Sequence, residues 1–223
     1  MKIAAVIMLI AVFLVSGCAG RLATLTEPPA VSQWLSECGQ WDEWDKPGPP
    51  FRIHGNTYYV GTCGIASMLI ATDRGHVLID SGTREGAEHV VHNVESLGLR
   101  VEDISVLLHS HEHFDHVGGL SYLQRLSDAR LLTSKAASQV LATGKDSPGD
   151  PQYGLHPAFE AANVDGNVRH GQRIRVGGLH FTAIETPGHT PGALSWHWQS
   201  CDELSCVNVV YADSLSPISR DGY

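Results

Sequence analysis

A run of histidines directly after a short apolar segment is the feature that most restricts how this chain folds. Residues 104–108 read Ile-Ser-Val-Leu-Leu, which is typical of a buried β-strand, and a polar run over residues 109–116 follows at once. His111 and His113 are two residues apart, so on an extended segment their side chains point the same way. The sequence therefore predicts a strand that ends in a cluster of polar side chains aimed in one direction.

The same cluster has the composition of a metal site. Neutral imidazoles and a carboxylate are suitable zinc ligands. Asp115 and His116 follow where the chain turns into a helix, and such a turn can aim them at a second ion. The pattern H-x-H-x-D-H fixes four of six residues, so chance matches are rare. Taken alone, the segment could still be a solvated loop rich in histidine.

A second segment favours the metal interpretation. Residues 186–192 read Thr-Pro-Gly-His-Thr-Pro-Gly, and they present His189 on a turn at a strand end. Proline and glycine fix the backbone there, so the imidazole is held in one direction. The two segments together predict one site built from distant parts of the chain.

Strand and helix patterns alternate in the first half of the chain, and strands dominate the second half. Turn residues predict β-hairpins around Gly55-Asn56 and around residues 73–75. Apolar spacing of three and four predicts a helix over residues 84–97, closed by Gly98. Further elements are predicted as helices at 115–126 and 134–142 and as strands at 131–133, 173–176, 180–184, 194–198 and 207–211. This order predicts an α/β (α+β layered) fold, with packed sheets and helices outside.

Two further features concern the loop and the core. Residues 143–157 are rich in glycine and proline and form a loop long enough to be a functional lid, although a plain surface loop is equally compatible. Trp196 and Trp198 alternate with His197, so the two indoles share one face of a strand and are expected in the core.

Composition excludes several classes of protein. The chain carries 15 basic and 24 acidic side chains, a net charge of −9, which argues against a nucleic-acid binder. Hydrophobic residues make up 43% and charged residues 17%, an ordinary globular composition that excludes disorder, collagen and coiled coil. The 223 residues can bury a proper core in one large domain or two small ones.

The N-terminal segment is predicted to be an export signal outside the fold. The apolar run 3–15 is too short to cross a bilayer as a mature helix, and it suits the core of a signal peptide over residues 1–17. Small residues before Cys18 resemble a bacterial lipoprotein cleavage site, which predicts lipidation of Cys18 and a periplasmic, membrane-anchored protein. An ordinary signal peptide with a chance cysteine is the alternative. We expect residues 18–50 to form a tether and an N-terminal arm, and residues 51–223 to form the domain.

Export places the remaining cysteines in an oxidising compartment, where disulfides form. Four cysteines allow three pairings. Cys201 and Cys206 enclose only four residues, which suits a local staple in a hairpin, and this leaves Cys38 to pair with Cys63. A zinc-binding cysteine set is the alternative, but the C-x-x-C spacing typical of one is lacking.

The two histidine segments together resemble the metallo-β-lactamase superfamily of zinc hydrolases, and Asp80 fits that family's aspartate at the end of an early strand. Stretches around both segments are similar to class B β-lactamases of the third subgroup, whose zinc ions are held by histidines and one aspartate: residues 58–64, 110–119, 192–196 and 211–216. The resemblance implies an αββα sandwich, two mixed β-sheets flanked by helices. The disulfides Cys38–Cys63 and Cys201–Cys206 are also similar to those of secreted members.

The resemblance implies two Zn²⁺ ions in the complete protein. It assigns the first ion to His111, His113 and His189, and the second to Asp115, His116 and one further histidine. In the family that last histidine lies in a C-terminal segment, which has no match here. We therefore expect that the C-terminal part of the domain is missing and that the native reading frame continues past Tyr223. Among the remaining histidines, His109 is the only plausible stand-in, since His197 sits in a strand and His156 in the loop.

The function implied by the resemblance is hydrolysis of the β-lactam ring amide of antibiotics, which confers resistance. Asp115 is the expected catalytic residue, and Ser214, Ser216 and Gln152 are candidates for substrate binding. We expect a monomer that binds a small-molecule β-lactam and no nucleic acid.

Two alternatives stay open at this point. A zinc hydrolase of the same fold could act on thioesters or lactones, as the glyoxalase-like branch does. In that branch an aspartate near Asp213 bridges both metals, whereas in the β-lactamase subgroup it is structural. The third possibility is a lipoprotein that retains one zinc ion and no catalysis.

Overall fold

The protein is described here by a computed structural model, which covers residues 31–39 and 42–223. The predicted signal peptide over residues 1–17 and the predicted lipidation site at Cys18 lie outside these residues. The helices are α1 Val31–Glu37, α2 Gly86–Ser96, α3 Phe114–Val117, α4 Leu120–Ser127 and α5 Ser138–Thr143, with a short 3-10 helix at Val101–Asp103. The strands are β1 Phe51–His54, β2 Thr57–Tyr59, β3 Met68–Ile70, β4 His76–Ile79, β5 Ile104–Leu108, β6 Arg130–Ser134, β7 Val164–Val168, β8 Arg173–Val176, β9 Leu179–Glu185, β10 Leu194–Cys201 and β11 Cys206–Tyr211.

The strands form two sheets. The first has the order β1-β2-β3-β4-β5-β6-β7, and the second has the order β11-β10-β9-β8. The first sheet is mixed, because its pairs are antiparallel up to β4 and parallel from β4 to β7. The second sheet differs from the expected mixed pattern, since its pairs are all antiparallel.

Strands β4 and β5 are buried on both faces, which explains their unbroken apolar sequences. Leu78 and Leu107 point into a cluster with the helices, where α2 and α4 contribute Val90, Val94, Leu120 and Leu123. Ile79 and Leu108 point the other way, into a cluster between the sheets that also holds Trp196 and Trp198. The two indoles are fully buried, as their shared strand face predicts.

The sequence did not predict helix α1 or strand β7, and it predicted one continuous helix where the structure has two. Helix α1 lies in the segment expected to be an irregular arm, and it is short and has no buried residue. Strand β7 has the sequence Val-Asp-Gly-Asn-Val, in which Gly166 stands where an alternating strand would carry another apolar side chain. The predicted helix over residues 115–126 is divided into α3 and α4 at Gly118-Gly119. A Cβ on Gly119 would lie 2.3 Å from the Cβ of Ala87, so this glycine lets α2 pack closely.

The topology brings several loops to one edge of the sheets. Asp80 follows β4 and residues 109–116 follow β5, so both lie at the carboxyl ends of parallel strands, where sites in such sheets are built. The β9–β10 turn joins them, because the N–H of Leu194 donates to the carbonyl of Ser110 at 2.6 Å. This edge of the molecule therefore collects both of the histidine segments.

Two cysteine pairs lie at disulfide distance. The sulfurs of Cys201 and Cys206 are 2.05 Å apart at the end of the β10–β11 hairpin. The sulfurs of Cys38 and Cys63 are 1.95 Å apart, and this pair links the arm that follows α1 to the loop after β2. Among the described residues, no helix has the length and hydropathy needed to cross a membrane.

Asn93 on α2 joins the arm to the first sheet. Its buried amide nitrogen donates to the carbonyls of Gly48, Val60 and Gly61 at 3.0, 3.0 and 3.1 Å. We predict that Asn93→Leu lowers the free energy of unfolding by about 2 kcal/mol, because buried carbonyls lose their donor. Urea unfolding followed by circular dichroism measures this. The exposed neighbour His92, changed to Leu, should shift stability by less than about 0.5 kcal/mol, and equal midpoints for the two variants would contradict the assignment.

Candidate metal centre

The three predicted ligands of the first ion lie close together at the sheet edge. One ring nitrogen of each of His111, His113 and His189 lies within 4.8 Å of the others. The ring centroid of His111 is 5.0 Å from that of His113 and 4.7 Å from that of His189. This spacing allows the three nitrogens to share one metal ion.

A second group shares His111 with the first. His111, Asp115 and His116 each place one ligand atom within 4.8 Å of the others. The rings of His111 and His116 are 4.0 Å apart, and Nε2 of His116 lies 3.6 Å from a carboxylate oxygen of Asp115. The structure thus brings all five of the predicted ligands into one cluster. Cys38, Asp42 and Cys63 also lie close together, but their thiols are joined to each other.

Each of the four imidazoles is hydrogen-bonded through one ring nitrogen to an oxygen of the protein. His111 Nδ1 bonds Asp213 Oδ1 at 2.8 Å, and His116 Nδ1 bonds Asp80 Oδ2 at 2.9 Å. The other two bonds are His113 Nε2 to Asp150 Oδ2 at 3.0 Å and His189 Nδ1 to the carbonyl of Ser216 at 2.9 Å. Metal-binding histidines are held in this way, with the second ring nitrogen left for the ion. The residues present therefore fit a divalent metal.

Asp80 is the centre of this hydrogen-bonding network. Its carboxylate accepts bonds from the Ser110 N–H and hydroxyl, both at 2.6 Å, from the Tyr211 hydroxyl at 2.9 Å, and from His116. Its φ of 62° lies in the left-handed region, which aspartate enters more readily than most residues. Asp80 is fully buried, so these bonds replace the water that a charged carboxylate requires.

Burial and neighbouring charges keep two of the rings, those of His111 and His189, in the neutral form that binds a cation. Burial, helped by the surrounding histidines, holds the pKa of His111 well below its usual range. Burial likewise lowers the pKa of His189. Burial would also lower the pKa of His116, but the hydrogen bond to Asp80 and the nearby acids raise it overall. Neutral imidazole is the ligand form, so the site favours metal over protons at His111 and His189.

Asp213 supports His111 from behind. Burial, followed by the nearby charges of Asp80 and Glu112, raises the pKa of Asp213 to about 7. Its Oδ1 accepts from His111, and its Oδ2 is buried without a partner among the described residues. The carboxylate therefore faces the rear of one ligand and belongs to none of the groups of close ligand atoms in this part of the chain.

Glu112 fixes the turn that carries His189. One carboxylate oxygen accepts the Thr190 hydroxyl at 2.6 Å, and the other accepts the Gly192 N–H at 2.8 Å. Although Glu112 lies between two ligands in sequence, it points away from them and supports the second segment. Its alternation with His111 and His113 is the sequence signal for this role.

His109 does not join the ligands. Its Nε2 bonds the hydroxyl of Thr133 at 2.7 Å, and its ring is fully buried. Strand β5 ends at Leu108, so the extended geometry that would have placed His109 beside His111 does not hold there. The structure thus places the expected stand-in ligand behind the site.

The loop 143–157 supplies two residues that sequence reasoning missed. Asp150 is buried and bonds His113, although only its place in a Pro/Gly-rich loop was visible in the sequence. His156 was set aside as a loop residue, yet its ring lies 4.5 Å from that of His113 and 5.5 Å from that of Phe114.

The three candidate substrate-binding residues lie at different distances from this centre. Gln152 Nε2 is 3.4 Å from His189 Nε2. Ser216 contributes its carbonyl to His189, and its side chain is exposed. The hydroxyl of Ser214 accepts from the Ser216 N–H at 3.4 Å, a turn contact. Only Gln152 places a side chain against a ligand.

The fold and this histidine cluster define a family. The sequence model of the metallo-beta-lactamase superfamily matches residues 60–206, which is more than half of the 223 residues. The chain belongs to the metallo-β-lactamase superfamily, and the family implies a divalent metal, usually zinc.

Comparison with solved structures shows which members of the superfamily this chain is similar to. The MIM-2 metallo-beta-lactamase is similar with a TM-score of 0.83 and 54% identity, covering 88% of this chain and 72% of that chain. MEM-A1, a subclass B3 metallo-beta-lactamase from a soil metagenome library, is similar with a TM-score of 0.79 and 42% identity, covering 81% and 69%. These similarities confirm the predicted resemblance to the third subgroup of class B and the predicted fold class.

A curated relative outside that subgroup is more distant. The hydroxyacylglutathione hydrolase of Bradyrhizobium sp. (strain ORS 278) is 30% identical over 134 residues, covering 60% of this chain and 44% of that protein. The chain therefore spans less than half of the length of this relative.

The Asp80 network generates a prediction about metal affinity. In Asp80→Asn the carboxylate loses its charge, and one of its two acceptor oxygens is replaced by an –NH₂ group that cannot accept from the four donors around it. His116 therefore loses the acceptor that orients it. We expect the affinity for Zn²⁺, measured by competition with a chromogenic chelator, to fall about 10- to 100-fold. Asp73→Asn, in the exposed β3–β4 turn, is the matched control and should leave the affinity unchanged. An Asp80→Asn protein with wild-type affinity would contradict the role of Asp80.

Proposed function

We propose that this protein is a zinc-dependent hydrolase that opens the ring amide of β-lactam antibiotics. The observation that carries the proposal is the convergence of His111, His113, His189, Asp115 and His116, each histidine being held from behind by a protein oxygen. The similarity to MIM-2 over 88% of this chain supports the same conclusion.

The chemistry is addition of water across a strained amide. When bound, zinc lowers the pKa of a water molecule to about 7 and polarises a carbonyl group. The C–N bond of the ring breaks, hydroxide adds to the carbonyl carbon, and the water's remaining proton goes to the ring nitrogen. Asp115 lies beside His116 at the centre, and we assign its carboxylate the role of orienting the water and holding its proton.

Gln152 is the side chain that we assign to substrate binding. β-Lactam antibiotics carry a carboxylate, which accepts hydrogen bonds. The uncharged Gln152 amide lies next to His189, and its –NH₂ group is a hydrogen-bond donor. Ser214 and Ser216 belong to the same proposal as candidates at the rim of the site, since Ser216 is exposed there.

Hydrolysis of thioesters, as the name of the Bradyrhizobium relative indicates for that protein, is the second candidate. The position of Asp213 favours the first. An aspartate that bridges two metals must face both of them, whereas Asp213 accepts a hydrogen bond from the rear nitrogen of His111. A lipoprotein that binds one zinc ion without catalysis is the third, and it separates from the others by lack of turnover.

We predict that the zinc-loaded protein hydrolyses a chromogenic cephalosporin and that a chelator abolishes this activity until zinc is restored. Asp115→Asn should lower kcat by about 10²- to 10⁴-fold, the range expected for a general acid–base group. The measurement is the initial rate at saturating zinc, with metal content determined for each protein.

The matched control is Asp73→Asn in the exposed β3–β4 turn, which should keep the wild-type rate. A glutathione thioester hydrolysed much faster than every β-lactam would move the assignment to the second candidate. A metal-loaded protein without turnover on either substrate would move it to the third.

The proposed localisation rests on the N-terminal residues 1–18, which lie outside the described part of the chain. We propose a signal peptide over residues 1–17, lipidation at Cys18, an arm over residues 18–50 and a domain over residues 51–223, in a periplasmic protein held at the membrane. The disulfide-distance pairs at Cys38–Cys63 and Cys201–Cys206 support export, because disulfides persist in oxidising compartments.

Cys18 provides the test of the anchor. In Cys18→Ser the acceptor thiol is lost, and we predict that the protein moves from the membrane fraction to the soluble periplasmic fraction. Fractionation followed by immunoblotting, together with incorporation of labelled palmitate, measures this. Ser16→Ala is the control and should stay membrane-bound and labelled, whereas an unlabelled wild-type protein would refute lipidation.

A further inference from the structure

Asp150 differs from the other carboxylates that support the candidate ligands, because it lies in a loop. Asp80 directly follows β4 and Asp213 follows β11, so the sheets hold these two carboxylates in place. In the described part of the chain, the hydrogen bonds of Asp150 other than the one to His113 lie within its own turn, residues 147–155. Of the three carboxylates, Asp150 is therefore the one that can move together with the ring that it supports.

Asp150 organises the backbone of this turn, which we call the Asp150 turn. Its N–H donates to the carbonyl of Ser147 at 2.9 Å, and its carbonyl accepts from the N–H of Tyr153 at 3.1 Å. Its Oδ1 accepts from the Gln152 N–H at 2.7 Å, and its Oδ2 lies 3.0 Å from Nε2 of His113. One buried carboxylate thus joins a candidate metal ligand to the backbone of the candidate substrate-binding residue.

Contacts with the segment that follows β11 hold the Asp150 turn independently of any metal. The Arg220 N–H donates to the carbonyl of Pro151 at 2.9 Å, and the Arg220 guanidinium lies 5.4 Å from the centre of the Tyr153 ring. The turn therefore has an attachment that does not involve the ligands. What a metal ion can change is the part of its order that depends on the bond between Asp150 and His113.

The forces on His113 depend on whether a cation is bound. The ligand nitrogens of His111, His113 and His189 lie within 4.8 Å of one another. In neutral rings these nitrogens carry lone pairs, which repel one another when no cation lies between them. With a cation bound, this repulsion is replaced by attraction, and the rear N–H of His113 becomes a stronger donor to the Asp150 carboxylate.

We propose that Asp150 is a positioning residue that couples metal binding at His113 to the order of the turn that carries Gln152. This inference rests on the metal site of the proposed function and not on the identity of the organic substrate. Because the coupling of two equilibria is reciprocal, a turn that is ordered around Asp150 also raises the affinity of the site for the metal. The backbone of the candidate substrate-binding residue is then held most firmly when the metal is present.

Hydrogen exchange of the full chain, followed by NMR, tests the coupling. The N–H groups of Asp150, Gln152, Tyr153 and Leu155 close hydrogen bonds within the Asp150 turn. We expect saturating Zn²⁺ to slow their exchange by at least about 5-fold, the lower end of typical coupling between two sites. Equal exchange rates with and without Zn²⁺ in the wild-type protein would overturn the proposal.

Asp150→Asn separates the two contacts of the carboxylate. An amide has one oxygen where the carboxylate has two, so this oxygen can face His113 or the Gln152 N–H but not both. We expect the effect of Zn²⁺ on exchange to fall below about 2-fold. The Kd for Zn²⁺, measured by competition with a chromogenic chelator, should rise about 10- to 100-fold. A variant that keeps the wild-type Zn²⁺ effect or the wild-type Kd would contradict the role of Asp150.

Asp146→Asn is the matched control, because Asp146 supports the same turn and, among the described residues, is hydrogen-bonded to none of the candidate ligands. Its Oδ2 accepts the Gly154 N–H at 2.5 Å. We expect this variant to exchange faster with and without Zn²⁺, while the Zn²⁺ effect and the Kd stay as in wild type. If the control loses the Zn²⁺ effect as well, general loosening of the loop explains the result and the proposal is wrong.

Neither readout requires turnover, so the two proposals of this article fail separately. Zn²⁺ binding that orders the turn without hydrolysis of β-lactams refutes the proposed function and supports the coupling. Hydrolysis of β-lactams without a Zn²⁺ effect at the turn supports the function and overturns the coupling. If Asp150→Asn does not fold, the wild-type exchange rates with and without Zn²⁺ still decide the question.

Discussion

Four imidazole rings packed at one sheet edge impose the constraint on which the rest of this structure depends. Each ring has two nitrogens, and a ring can offer one of them to a metal ion only if the protein accepts the proton on the other. Asp80, Asp150, Asp213 and the carbonyl of Ser216 meet this need. These acceptors come from the ends of β4 and β11 and from two loops, so the site requires the whole topology to be in place.

The same acceptors also hold the two sheets together at this edge. Asp80 follows β4 of the first sheet, and the Tyr211 hydroxyl from β11 of the second sheet donates to it. Trp196 from β10 donates its indole N–H to the carbonyl of His109 at 2.8 Å. Buried carboxylates and carbonyls are costly when they lack partners. Because these polar contacts cross between the sheets, a change that disturbs the ligands is expected to disturb the packing as well.

The sequence was sufficient to predict which side chains gather at this edge and insufficient to predict the residues that support them. The spacing of His111, His113, Asp115 and His116 is local, and a strand followed by a helix turn aims them without further information. Acceptors such as Asp150 and Asp213 are single carboxylates whose role arises only when distant loops meet, and no local pattern marks them. His109 shows the limit of the local rule, because its side chain turned inward where the strand ended one residue earlier. Polar strand β7 was missed for the related reason that its pairing with β6 is decided by tertiary contacts.

Asp150 supports His113 and also holds the backbone of its own loop, and these two contacts restrict any opening of the loop as a lid. One carboxylate bonds His113 through Oδ2 and the backbone of Gln152 through Oδ1. Opening the loop as a unit would leave a buried ring nitrogen of a metal ligand without its acceptor, which costs about 1–3 kcal/mol before any other contact is lost. The segment around Asp150 is thus part of the candidate metal centre. Gly154 and Leu155, farther along the loop, are exposed and lie outside this support, so the constraint acts on the stretch around Asp150 and Gln152.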